Sequence, residues 1–434
     1  MRQRDPPIGI LAGGGSLPLE IATRLAARGV PCFLLLIEGE ADADFSAFPA
    51  QPVNWGAIGA MIAQFKQAGC RQILFAGRVR RPDLTRIRPD LGFFLALPTV
   101  LRLIAAGGDD RVLRGVIGYF ERHGLEVVGP ADVAAELVAG EGPLGAARPD
   151  AQDAADAAMG FAIVRALGPL DIGQGAVVAE GRLEALEGAE GTDAMLRRTA
   201  SRRRLETRGA GGVLVKRSKP GQELRVDLPA IGPETIARAS EAQLGGIAIE
   251  AGRTLLIDGA EIIRRADAAG LFVLGRVSEP QSSGVATDAG RGGRPAIEGA
   301  RRLDRRALRD GRKGVAVLRA LAPFAASRGA VVVRGHVLAV ETGEGVPALL
   351  ARAARLRQWG DRRWRRREGV AVLAGVEDVT VESIDAAAAA GLRALLLVDA
   401  RGGIDPELAR RASLGGLSLC YVSPGASGEA GDVA

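Results

Sequence analysis

The chain has 434 residues with 47% hydrophobic and 25% charged side chains, ordinary proportions that exclude wholesale disorder and leave enough length for two or three separate cores. Residues 1–277 hold 33 basic and 33 acidic side chains and residues 278–434 hold 24 and 18, so the whole surplus of +6 lies in the C-terminal third. With only 4% aromatic residues and a neutral N-terminal two-thirds, the chain lacks the cationic, stacking surface of a nucleic-acid binder.

Ile8–Ala12 reads as a buried strand, followed by the turn Gly13, Gly14, Gly15, Ser16 and a helix with Leu17, Ile21 and Leu25 on one face and Pro18 in its first turn. A strand at Cys32–Ile37, a helix over Ala57–Ala68 and a strand at Gln72–Ala76 continue the alternation. The class is α/β, with a Rossmann-like domain over residues 1–135 whose loops sit at the carboxyl ends of its strands. Leu91–Gly108 is the greasiest stretch, but Pro98 and Arg102 interrupt it. It reads as a buried core helix, or as a wall that meets an acyl chain or membrane surface. No apolar run reaches the ~18 residues of a membrane span, and Met1–Pro7 has no apolar signal core, so the chain is expected in the cytoplasm. Residues 131–150, rich in Ala, Gly and Pro, read as a connector to a second α/β domain over 151–277. Strands are expected there at Gly175–Ala179, Gly212–Val215 and Gly246–Glu250, with an amphipathic helix at Glu234–Gln243. Residues 278–309 read as a flexible linker and 423–434 as a disordered tail.

Residues 310–422 resemble the second domain. Gly175–Arg198 and Gly329–Arg352 share 12 identities in 24 ungapped columns, and the same offset pairs Asp156, Gly160 and Arg165 with Asp310, Gly314 and Arg319. The spacing predicts a duplicated domain. The copy is degenerate: Thr192 and Asp193 become Val346 and Pro347.

The residues that could carry chemistry are few. Gly13, Gly14, Gly15, Ser16 and Leu17 open a helix after a strand, where backbone amides and the helix dipole favour phosphate. Gly13 and Gly15 with Glu38 also suggest a dinucleotide fingerprint, but Pro18 stands where its third glycine belongs. Arg78, Arg80 and Arg81 follow the third of these strands, and Asp109 and Asp110 begin a helix as caps or as ligands. The densest cluster is Lys216, Lys219, Gln222, Arg225 and Asp227, in a loop stiffened by Pro220, Pro229 and Pro233. One carboxylate among cations suits a divalent metal beside a pyrophosphate, with Asp193 as a second oxygen ligand. Two histidines, His123 and His336, and three scattered cysteines, Cys32, Cys70 and Cys420, leave no triad, zinc or iron–sulfur set. The inventory supports Mg²⁺ or Mn²⁺.

GILAGGGSLP, GRVRRPDL, GGDDRVLRGVIGYFE, DIGQGAVV, EGAEGTDAMLRR and KPGQELRVDLPAIGPET occur in that order between Ile8 and Val277. Together they resemble the UDP-2,3-diacylglucosamine pyrophosphatases of lipid A biosynthesis, the type unrelated to calcineurin-like phosphoesterases. The resemblance implies a cytosolic, metal-dependent hydrolase that splits its lipid-linked UDP-sugar into UMP and 2,3-diacylglucosamine 1-phosphate. It implies two domains closing over the substrate with the acyl chains between them; peripheral contact at the inner membrane is a further expectation. By position the essential aspartate falls on Asp227, the glycine loop on Gly13–Leu17, and the Glu-Gly-Thr-Asp motif on Glu190, Gly191, Thr192 and Asp193. In that reading Asp227 and Asp193 hold the metal, while Lys216, Lys219 and Arg225 offset phosphate charge. Arg78, Asp109, Asp110 and Gln222 line the substrate. An NAD-dependent oxidoreductase and a non-catalytic UDP-sugar or lipid binder are the alternatives. Residues 278–434 depart from the pattern and leave self-association open.

Overall fold

Short apolar runs bounded by glycine, proline or polar turns become parallel strands when helices can cover both of their faces. In the computed structural model, which describes residues 5–79, 88–90, 92–94, 109–206, 209–277, 297–298, 303–360, 367–399 and 403–422, five such runs form one sheet. They are Ile8–Ala12 (β1), Cys32–Ile37 (β2), Ala50–Val53 (β3), Gln72–Ala76 (β4) and Glu126–Val127 (β5), in the order β3-β2-β1-β4-β5 with every neighbouring pair parallel. Ile10, Ile21, Leu25, Leu34 and Leu74 are fully buried on one face, and Leu35, Phe65 and Ile73 on the other. Each such side chain contributes roughly 1.5–3 kcal/mol of burial. The order reverses between β1 and β4, the switch point at which doubly wound sheets open a crevice at their carboxyl ends. The ends of β1, β2 and β4 agree with the sequence reading. β3 escaped it because AQPV is short and half polar; as an edge strand it tolerates Pro52.

The chain forms two compact units, neither of them one stretch of sequence. The first comprises Met1–Arg148, Gly221–Ala237 and Ile249–Val277; the second comprises Pro149–Pro220, Arg238–Ala248 and Ser278–Ala434. Gly221–Ala237, which the sequence reading gave to the second domain, packs within the first unit. Leu228 and Ala230 join the Ile10 cluster, Val226 joins the Phe65 cluster, and Ala230–Ile231 pairs in parallel with Leu255–Leu256. Residues 131–150 are ordered here: Val133 and Leu137 are buried in the same core, and Gly142–Pro143 pairs antiparallel with Phe272–Arg276.

In the second unit two arrangements repeat. The helix Ala151–Leu167 precedes the hairpin Gly175–Ala179 and Arg182–Leu186, with Val213–Lys216 antiparallel on the other side of the first strand. The helix Arg305–Leu321 precedes the hairpin Gly329–Val333 and His336–Val340, with Val370–Leu373 placed likewise; Ala394–Leu397 and Ser418–Val422 then follow in parallel. Both hairpins shift register at the same point, between Val177 and Val178 and between Val331 and Val332. Both turns put a non-glycine residue at positive φ, Glu180 at 51° and Arg334 at 52°. Buried Asp156 accepts the amides of Glu180 and Gly181 at 2.9 and 2.7 Å, and buried Asp310 those of Arg334 and Gly335 at the same distances. Asp304 caps the second helix, so residues 305–309 are helical, whereas the sequence reading placed them in the linker. Residues 278–296 of that linker and the tail 423–434 lie outside the described residues.

Asp156→Ala leaves two hairpin amides without acceptors and is expected to lower the unfolding free energy by roughly 2–4 kcal/mol in a urea titration. Asp156→Asn, which still accepts, should cost less. Equal losses for the two variants would show that the carboxylate is not what holds the turn.

Candidate active site

The first unit places two turns side by side at the switch point. After β1 the chain runs through Gly13, Gly14 and Gly15 into the helix Leu17–Ala27, and after β4 it runs through Gly77 and Arg78. Gly14 N donates to Arg78 O and Arg78 N donates back to Gly14 O, both at 2.8 Å. A Cβ on Gly13 would stand 2.5 Å from Arg78 O, so only glycine permits this approach. Gly13 N also donates to Ala76 O, and Gly15 N to Asp42 Oδ1 at 2.7 Å. The three glycine amides that the sequence reading offered to phosphate are therefore engaged within the turn. What the turn leaves to an anion is the start of the helix, at Ser16 and Leu17, where the positive end of the dipole lies. Ser16 Oγ donates to Glu20 Oε1 at 3.0 Å, and Glu20 in turn accepts the amide of Asp258. Arg78 is exposed, with its Nε 3.9 Å from where a Gly15 Cβ would sit, so its guanidinium stands at the turn. Arg80, Arg81 and most of Leu91–Gly108 lie outside the described residues; Asp109 and Asp110 begin the helix Asp109–Arg122, but their side chains are likewise outside.

Asp227 belongs to this same unit and is exposed. Gln222 Nε2 donates to its Oδ2 at 2.5 Å and to its carbonyl at 2.7 Å. Arg225 fastens the loop: it donates to both Glu223 oxygens at 2.8 and 3.0 Å, to Glu121 Oε1 at 2.8 Å and to Val127 O at 3.3 Å, at the end of β5. Its hydrogen bonds hold the Glu223 carboxyl below the usual range. The guanidinium, expected to offset phosphate charge, pairs here with two carboxylates and tethers the loop that carries Asp227.

The second unit builds a different cluster. Gly191, at φ 78°, precedes the helix Thr192–Leu205, a backbone shape that a side chain would strain. Thr192 Oγ1 donates to Glu187 Oε1 at 3.0 Å and accepts from Lys216 Nζ at 2.8 Å. Lys216 ends its strand opposite Gly175 and is 6% exposed. Glu187 Oε2 is buried without a hydrogen-bond partner, so a buried cation and a half-satisfied carboxylate face one hydroxyl. Glu187 is the residue that sequence reasoning missed; its only signal was its place at the head of EGAEGTD. Asp193 is exposed in the first helical turn, where its charge complements the dipole. Lys219 pairs with Asp171 at 2.7 Å. In the repeat Glu341 persists, but Val346, Pro347 and, by strand register, Leu373 replace Thr192, Asp193 and Lys216.

An N-terminal domain description of the LpxI family matches residues 7–146, and its C-terminal domain description matches residues 140–274 and 295–376. The UDP-2,3-diacylglucosamine pyrophosphatase LpxI of Caulobacter vibrioides is 43% identical over 272 residues, which are 62% of this chain and 96% of that protein. The chain belongs to the LpxI family. It is a hydrolase, which sets aside the oxidoreductase and the passive binder. In this LpxI chain Glu38, the acid the dinucleotide reading required, accepts instead from Asn54 Nδ2 at 3.1 Å.

Arg225→Ala should free the 221–227 loop by removing its bonds to Glu223, Glu121 and Val127 O. The expected result is faster proteolytic cutting in the loop and turnover lowered roughly 10–100-fold through misplacement of Asp227, with Arg225→Lys in between. Turnover unchanged in Arg225→Ala would show that the loop needs no such anchor.

Proposed function

We propose that this chain hydrolyses the pyrophosphate of UDP-2,3-diacylglucosamine, releasing UMP and 2,3-diacylglucosamine 1-phosphate for lipid A biosynthesis. Family membership supports the reaction class. The observation that supports the substrate class is the helix start at Ser16 and Leu17 with exposed Arg78 beside it, at the switch point of a doubly wound sheet. Water adds across the P–O–P anhydride: its oxygen enters one phosphate product, and the bridging oxygen leaves with the other.

The donor chemistry fits a hard divalent cation. Mg²⁺ is held by one or two carboxylates together with substrate phosphate oxygens, seldom by a full protein cage. Among the described residues no three His, Cys, Asp or Glu side chains gather into such a cage, and Asp227 stands exposed on its anchored loop. Asp227 would hold the ion, with Asp193 as the further carboxylate of the proposal, and the bound ion would supply Lewis acidity toward the phosphoryl oxygens. The chain's own groups do the rest. The helix start at Ser16 and Leu17, with Arg78, binds the nucleotide diphosphate, and Gln222 orients the Asp227 carboxylate. Lys216, bonded to Thr192, which in turn donates to Glu187, offers a fixed positive charge to an oxygen that gains charge as the anhydride breaks. No described helix is long and apolar enough to cross a membrane, so the lipid substrate would be met at a surface.

Asp227→Ala and Lys216→Met should each lower UMP release roughly 10²–10³-fold while circular dichroism stays unchanged. EDTA should stop the wild-type reaction and added Mg²⁺ restore it. Full turnover in EDTA would remove the metal from the proposal, and full turnover in Asp227→Ala would remove the aspartate.

A further inference from the structure

The repeated arrangements touch each other, and they do so through equivalent parts. The helices Ala151–Leu167 and Arg305–Leu321 are in contact, and one continuous core contains Ile163, Val164 and Leu167 with Leu318 and Leu321. Beside it lies a buried ionic group. Arg198 pairs with Glu190, and their equivalents Arg352 and Glu344 pair in the same way. Each arginine also donates to the last carbonyl of its own hairpin, Arg198 to Leu186 O at 3.2 Å and Arg352 to Val340 O at 2.8 Å.

The two pairs are then joined crosswise. Arg352 lies 3.7 Å from Glu190. Burial pushes the Glu344 carboxyl up, but the neighbouring Arg352, and after it Arg198, bring it below the usual range, so Glu344 feels both arginines. Arg202 adds a hydrogen bond to Thr342 O at 2.9 Å. Arg352 of the copy thus reaches Glu190 of the first arrangement, and Arg202 of the first lies 4.0 Å from Glu344 of the copy; contact in both directions between like parts is the pattern of a two-fold interface between like domains.

What the second arrangement keeps and what it discards differ in kind. Glu344 and Arg352 retain the ionic group and Asp310 retains the hairpin cap, whereas Val346, Pro347 and Leu373 stand where Thr192, Asp193 and Lys216 would be. Loss of fold would have erased both sets. Loss of chemistry alone, with the contact face preserved, leaves a domain whose remaining property is to cover its counterpart.

We infer that residues 303–422 are a built-in partner: a catalytically silent copy of the C-terminal domain that packs on the active copy as a second subunit would, so that one chain is a complete pseudo-dimer with a single catalytic centre. A buried, crosswise ion group makes the fit specific, because removing one partner strands the others without compensation.

Three measurements on the full chain test this, and the first two do not depend on the assignment of substrate. Sedimentation over a wide range of concentration should give a single 45.0 kDa particle; a two-chain particle would overturn the inference. A protease site placed between residues 285 and 292 and cut after purification should leave the two pieces together as one particle. Arg352→Met should raise their dissociation by roughly 100-fold or more. Pieces that part with Arg352 intact, or that hold equally well in the Arg352→Met variant, would also overturn it. Val346→Thr should leave turnover unchanged, since the copy lacks the lysine as well; altered turnover would show that the copy is not silent.

Discussion

Two reciprocal hydrogen bonds between Gly14 and Arg78 decide the character of the first unit. They bring the ends of the strands on either side of the switch point into backbone contact, and only a chain without a Cβ at Gly13 can come that close. The helix beginning at Leu17 starts directly after that contact, and exposed Arg78 stands beside it. The anion site proposed here draws on sheet order and one steric constraint before any ligand-specific side chain is considered.

The second unit rests on a different balance. It buries charge: Lys216, Arg203, Glu184, Asp156 and Asp310 are all nearly inaccessible. Such groups persist only where partners meet them. Arg203 illustrates the structural kind, with Glu184 at 2.7 Å and the carbonyls of Gly211, Ala242 and Gln243 around it. Lys216, proposed above for catalysis, is held by a threonine hydroxyl beside a carboxylate with one oxygen unsatisfied. The first arrangement is closed; the second retains capacity for a further polar group, which is the difference expected between a strut and a site.

How much of this was readable in advance depended on range. Ile8–Ala12, Cys32–Ile37 and Gln72–Ala76 were legible because a buried parallel strand writes itself as an uninterrupted apolar run. β3 was not, because an edge strand needs neither apolarity nor a free proline nitrogen. The glycine turn and Asp227 could be singled out as residue types in a pattern, yet the occupants of the glycine amides could not, since Ala76, Arg78 and Asp42 lie far along the chain. Glu187 was hidden by its ordinariness: a glutamate at a strand end acquires meaning only when Thr192 and Lys216 are seen against it. The partners of Arg225 were hidden for the same reason, because the carboxylate of Glu121 is about a hundred positions away in sequence.

The sequence alone determined the α/β class, the internal resemblance of residues 310–422 to the second domain, and the family, all of which rest on local periodicity and on motifs that survive as strings. Only the tertiary structure decided that Gly221–Ala237 packs with the glycine-turn unit, that Arg225 is an anchor, and that the ionic residues of the repeat meet crosswise. These are pairings between distant positions, fixed by which buried charge finds which partner, and no local pattern of residues encodes that choice.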